Sequence, residues 1–121
     1  MKKQKTNQVN PEIEILAKLE ERFGKEKVAG WQKQYAPRKL NIVEVEGKFA
    51  VLRPIGAEEV GNYSMMVINP EVGMAKAGNY LLNELWIDGD SELLNDEEYN
   101  ISATMQVQSV IDLKKSAFCR V

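Results

Sequence analysis

The sequence contains no histidine, and Cys119 is its single cysteine. The lack of histidine excludes Ser-His and Cys-His catalysis and histidine ligation of a metal. One cysteine cannot form a disulfide within the chain, and the apolar residues before Cys119 predict a small buried side chain rather than a reactive thiol. The glycines are isolated, so there is no glycine-rich loop to bind phosphate. We therefore expect a protein that is not an enzyme and needs no cofactor.

Long apolar runs are also lacking. No stretch approaches the ~20 apolar residues of a transmembrane helix, and no apolar segment of a secretory signal follows the basic start MKKQKTNQVN. We therefore expect a cytoplasmic protein. Its 121 residues suit one domain, with residues 1–9 as a disordered tail and residues 10–121 as the domain.

Charge is divided unevenly along the chain. Residues 1–53 carry 12 basic and 7 acidic side chains, whereas residues 54–121 carry 4 basic and 11 acidic ones. Such a division can orient one copy of a protein against another, basic half to acidic half. A solvated acidic segment explains the same pattern without any partner.

Four acidic residues lie close together in the second half: Asp88, Asp90, Glu92 and Asp96. A calcium-binding EF-hand loop that began at Asp88 would need glycine at its sixth position and glutamate at its twelfth. The chain has Leu93 and Tyr99 there. We therefore expect an exposed acidic turn that binds no metal.

The spacing of apolar residues predicts a mostly helical α+β domain with one antiparallel β-hairpin. Asn-Pro-Glu sequences at Asn10 and Asn69 are typical of helix starts. Residues 99–107 fit either a strand or a helix, and the length of the surrounding segment favours the helix. The predicted helices cover about residues 12–23, 26–35, 57–67, 70–87 and 96–115, with a turn at 88–90 and a short piece at 91–94.

The hairpin is predicted over residues 40–53, with its turn at Glu46 and Gly47. This register makes both faces apolar, whereas an exposed hairpin alternates apolar and polar residues. Both faces should therefore be covered, by the chain's own helices or by another subunit. The following helix adds two adjacent methionines, which adapt well to partner surfaces. The candidate surface for a partner or for self-association consists of Leu40, Ile42, Phe49, Val51, Met65 and Met66.

The segment EGKFAVLRP from Glu46 to Pro54, followed by a helix and by AKAGNYLLNELW from Ala75 to Trp86, resembles the small tail assembly chaperones of tailed bacteriophages and prophages. The resemblance covers about residues 40–115. It implies a non-enzymatic, homo-oligomeric protein that binds the tape-measure protein and brings tail-tube subunits to it in the cytoplasm of a bacterial host.

Two other hypotheses remain open. The chain could be another small structural protein of a phage head or tail. It could also be a regulatory module that binds nucleic acid through residues 1–39, which carry 10 basic and 5 acidic side chains but no recognisable recognition helix.

Overall fold

The computed structural model describes residues 11–119, with side chains described for residues 12–109 and Ile111. Within these residues the protein is mostly helical and has one three-stranded antiparallel sheet, which confirms the predicted α+β class. Contacts along the chain define two compact units, one ending at Pro37 and the other beginning at Arg38. The predicted disordered tail, residues 1–9, lies outside the described residues, and the extent of the predicted domain stays a prediction.

The first unit is a pair of helices, α1 (Pro11–Phe23) and α2 (Lys25–Tyr35). Gly24 separates them with a φ of +99°, a conformation that glycine adopts without strain. The Phe23 ring meets the Trp31 ring nearly edge-on, with centroids 5.5 Å apart. Both predicted helices are confirmed, and the first ends at Phe23, as predicted.

The second unit begins with the hairpin of β1 (Asn41–Val45) and β2 (Lys48–Leu52). Val45 lies opposite Lys48, which is the predicted register. Both turn residues have positive φ, 50° at Glu46 and 85° at Gly47, as a type I′ turn requires. The hairpin prediction is therefore confirmed in position, turn and register.

A third strand, β3 (Trp86–Gly89), pairs with β2 and was not predicted. The spacing of apolar residues had extended the preceding helix to Ile87 and placed a turn at residues 88–90. The helix instead ends at Leu85, whose carbonyl accepts a hydrogen bond from the backbone N–H of Arg53 at 2.8 Å. Pairing with β2 thus takes Trp86 and Ile87 out of the helix.

The remaining helices of this unit are α3 (Ala57–Ile68), α4 (Gly73–Leu85), α5 (Glu92–Asn95) and α6 (Glu97–Cys119). The start predicted for α4 at residue 70 is wrong, because Asn69 forms a turn before the helix. Its Oδ1 accepts from the backbone N–H of Glu71 at 2.9 Å, and its carbonyl accepts from the N–H of Gly73 at 3.1 Å. Residues 99–107 are helical, as favoured.

The core of the second unit lies against one face of the sheet. Alternate residues of the hairpin, Val43, Ala50 and Leu52, point to this face because side chains alternate along a strand. The helices and the loop before α3 supply the other buried residues: Ile55, Tyr63, Ala77, Leu81, Leu82, Leu85, Leu93, Ala103, Val107 and Ile111. The buried sides of α3, α4 and α6 are thereby fixed, and their outer sides face solvent.

Candidate protein-binding surface

The six residues predicted to form a partner surface differ strongly in exposure. Phe49 and Val51 are buried, with 6% and 0% of their surface exposed. Leu40, Ile42 and Met66 are half-buried. Met65 is 70% exposed. Of the six, Met65 is therefore the side chain that a second protein can reach most directly.

Met65 belongs to a line of four exposed residues on α3, which we call the outer stripe: Glu58, Gly61, Met65 and Ile68. They are spaced three or four residues apart, so they lie on one side of the helix. Ile68 is 78% exposed, the highest value among the large apolar residues that the structure describes as exposed. The opposite side of α3 carries Tyr63 in the core. The helix therefore has apolar side chains on its solvent side as well as on its buried side.

Gly61 interrupts the side chains of the outer stripe. A Cβ atom placed at Gly61 would meet no atom within 4 Å outside its own helix turn. Packing against the described residues therefore gives no reason for glycine, although glycine in a helix costs about 1 kcal/mol relative to alanine. The result is a notch between Glu58 and Met65, where a second backbone can approach closely.

Further exposed apolar side chains lie on the neighbouring helices. On α6, Ile101 is 53% exposed and Met105 is 66% exposed, and both follow Glu98 at helical spacing. Met74, at the beginning of α4, is 59% exposed. The predicted surface omitted these residues and Ile68, although the spacing of Glu98, Ile101 and Met105 repeats that of the outer stripe. The missing information was which side of each helix the core covers.

The first turn of α3 is fixed by Glu59, whose neighbour Glu58 begins the outer stripe. One carboxylate oxygen of Glu59 accepts from the backbone N–H of Gly56 at 2.7 Å, and the other accepts from the Arg53 guanidinium at 3.3 Å. Arg53 also donates to the carbonyl of Glu84, at 3.3 Å. The bond from Arg53, with that from Gly56, holds the pKa of Glu59 below its ordinary value, although burial opposes this.

The middle of α3 is fixed by two tyrosines. The Tyr63 hydroxyl donates to Oε1 of Gln108 at 2.7 Å and so connects α3 to α6. The Asn62 amide donates to the Tyr80 hydroxyl at 2.9 Å and connects α3 to α4. Hydrogen bonds of this kind contribute about 0.5–1.5 kcal/mol each. They orient α3 so that the outer stripe stays on the solvent side.

Two of the four clustered acidic residues, Asp88 and Asp90, do not lie in the exposed turn that was predicted. Asp88 and Asp90 are half-buried, and Asp88 lies within β3. Oδ2 of Asp90 accepts from the backbone N–H of Phe49 at 2.8 Å. Glu92 is exposed and lies 3.6 Å from the Lys48 ammonium. Among the described residues there is no group of three or more acidic or cysteine side chains arranged to hold a metal ion.

A polar cleft lies beside the start of β1. It has a volume of about 290 Å³ and is lined by Arg38, Lys39, Asn41 and Pro54. The Arg38 guanidinium donates to the Ile55 carbonyl at 2.5 Å, which ties this residue to the loop before α3. Among the described residues, the lining of the cleft includes no large apolar side chain, so the cleft suits a helix partner less well than the outer stripe does.

Comparisons of this chain with protein-family models, with curated proteins and with solved structures found no match. In the described part of the chain, no helix is both long enough and apolar enough to cross a membrane. The side chain of Cys119, predicted to be buried, lies outside the described side chains.

Proposed function

We propose that this chain is a non-enzymatic assembly protein of a phage or prophage, a tail assembly chaperone that binds the tape-measure protein in the cytoplasm of a bacterial host. The observation that carries the proposal is the exposure of Met65 and Ile68 on the solvent side of α3, at 70% and 78%. Burial of each side chain by a partner is worth about 1.5–3 kcal/mol. A chaperone that covers a long amphipathic helix needs such a surface.

The proposal includes self-association. The chain has a basic and an acidic half, which supports head-to-tail contacts between copies. Light scattering over a range of concentrations tests this part. We expect a mass above that of the 13.7 kDa chain. A mass of one chain at the highest concentration would contradict self-association.

Co-expression with the neighbouring tail genes tests the function itself. A tail-tube gene before this gene and a tape-measure gene after it would provide both candidate partners. We expect the tape-measure protein to stay soluble and to co-purify with this chain, and to aggregate without it. Co-purification with a head or tail shell protein instead would favour the structural-protein hypothesis, and binding to DNA or RNA alone would favour the regulatory one.

A further inference from the structure

We propose that the outer stripe of α3, Glu58, Gly61, Met65 and Ile68, is the docking site for one basic amphipathic helix of another protein. This inference rests on the proposed function, because it names the kind of segment that the assembly protein would bind. The stripe spans residues 58–68, which is about 15 Å along a helix axis. A partner helix of about three turns matches that length.

The shape of the stripe favours a helix as the occupant. Helices pack with axes about 8–10 Å apart, and the side chains at the contact set the distance. Gly61 has open space around its missing Cβ, so a crossing helix can come close there. On either side of the crossing helix, Glu58 offers a charge and Met65 offers a flexible apolar side chain. Ile68 extends the apolar contact by one turn.

The charge around the stripe favours a basic occupant. Glu58 lies at one end, and Glu71 is exposed in the turn just beyond the other end. Within the described part of the chain, neither carboxylate lies within 4 Å of a cation. Residues 54–75 contain no lysine or arginine. Lysine or arginine residues beside the apolar face of a partner helix would therefore be attracted to both ends.

A second copy of this chain fits the stripe less well. The first helix of the chain, α1, has an exposed Ile13 but carries four glutamates against Lys18 and Arg22. Its net charge would repel Glu58 and Glu71. The second helix, α2, carries three lysines against Glu26, but none of its large apolar side chains is exposed: Val28 is buried, and Trp31 and Tyr35 are half-buried. Neither helix of this pair therefore combines a basic surface with an exposed apolar face, so we assign the stripe to a helix of a different protein.

The test uses the full chain and two synthetic helical peptides with the same leucine face, one with lysines and one with glutamates on the remaining positions. Binding is measured by fluorescence anisotropy at low and moderate salt. We expect the lysine peptide to bind and the glutamate peptide to bind at least about tenfold more weakly. Equal binding of both peptides would overturn the choice of a basic partner.

Three variants locate the contact. Met65→Gln should raise the Kd of the lysine peptide about tenfold, since it removes a buried apolar contact. Glu58→Gln should weaken binding mainly at low salt. Gly61→Ala should weaken binding while it raises the stability of the protein, a combination that damage to the fold cannot produce. Met105→Gln and Glu97→Gln on α6 are the matched controls and should leave the Kd unchanged.

Two outcomes would overturn the assignment. Unchanged peptide binding in Gly61→Ala and Met65→Gln would place the contact elsewhere. A fall in particle mass for Met65→Gln would show that a second copy occupies the stripe. Co-purification with the tape-measure protein tests the proposed function separately. If Gly61→Ala and Met65→Gln still co-purify with that protein, the outer stripe is not the docking site, but the proposed function is retained. If the wild-type chain does not co-purify with the tape-measure protein, the proposed function is contradicted, regardless of how the peptides bind.

Discussion

Phe49 and Asp90 exchange two hydrogen bonds at the end of the pairing between β2 and β3. The backbone N–H of Asp90 donates to the Phe49 carbonyl at 2.8 Å, and the backbone N–H of Phe49 donates to Oδ2 of Asp90, also at 2.8 Å. The carboxylate therefore replaces the strand carbonyl that would otherwise accept this bond. An acidic residue that the sequence placed in a solvated turn thus holds the third strand to the sheet.

Replacement of Asp90 should weaken the fold. Phe49 is buried, so Asp90→Ala leaves its N–H without this acceptor and should lower the free energy of unfolding by about 1–3 kcal/mol. Urea unfolding followed by circular dichroism measures the change. Asp90→Asn keeps an oxygen acceptor and should cost less. Glu92→Ala, an exposed neighbour, is the control, and a loss there as large as in Asp90→Ala would contradict the assigned role.

The pKa of Glu59 predicts a specific loss of stability in acid. The hydrogen bond from Arg53 and that from Gly56 lower this pKa in the folded state. The unfolded state therefore binds the proton more readily, and the stabilisation is fully present above the unfolded pKa of ~4.3. It is lost as the pH falls through the lower folded pKa. We expect wild-type stability to decline through this range.

Glu59→Gln isolates this effect. Glutamine still offers an oxygen to the Gly56 N–H but loses the charge that Arg53 contacts, so the variant should be about 1.5–3 kcal/mol less stable at neutral pH. Its stability should also fall less between pH 5 and pH 3, as measured by urea unfolding at each pH. The exposed Glu58→Gln is the control and should keep the wild-type profile. An identical pH profile in Glu59→Gln and wild type would argue against the role of this carboxylate.

The parts of the fold that the sequence predicted well depend on local chemistry. Gly47 allows the positive φ of a tight turn, and this fixed the hairpin and its register. Gly24, with its positive φ, likewise follows the end of the first helix. Trp86 and Ile87 were misassigned because apolar residues after a helix fit the helical spacing equally well. Only pairing with β2, which is distant in sequence, makes them a strand.

The candidate surface was predictable in part for a related reason. Met65 was predicted because it is one of two adjacent methionines, which adapt well to partner surfaces. Phe49 and Val51 were placed in the same surface, yet both are buried. Exposure depends on which sides of each element its neighbours cover, and the pattern of one segment does not contain that information. The role proposed for Gly61 in a helix contact depends on the open space around its missing Cβ, which the structure shows and the sequence pattern does not.

Two helical glycines should respond in opposite directions to alanine. Gly61 is exposed with open space at its missing Cβ, so Gly61→Ala should raise the free energy of unfolding by about 1 kcal/mol. At Gly78, which is buried, a Cβ would come within 2.5 Å of Nε2 of Gln108 and 3.2 Å of Cβ of Thr104. Gln108 also accepts the bond from Tyr63, so Gly78→Ala should destabilise the protein by about 1–3 kcal/mol. Thermal unfolding of both variants gives the comparison, and stabilisation of both would show that the Gln108 side chain can move aside.

The face of the hairpin opposite the core carries Ile42 and Val51. Lysine substitutions on this face test whether it lies at a contact between subunits. Val51 is fully buried in the single chain and Ile42 is half-buried. An unpaired ammonium at Val51 would cost several kcal/mol of the ~5–15 kcal/mol that stabilises a typical domain. We therefore expect Val51→Lys to unfold the protein, with loss of its circular dichroism signal.

Ile42→Lys should be tolerated better than Val51→Lys, because its long side chain can bring the charge to water from a half-buried position. The variant should stay folded, and its mass by light scattering then reports on assembly. A smaller particle than wild type would place Ile42 at a subunit contact, as its inclusion in the predicted surface requires. An unchanged mass would leave Met65 and its neighbours on α3 as the surface for partners. A folded Val51→Lys variant would show that this side chain can reach solvent, contrary to its burial in the chain.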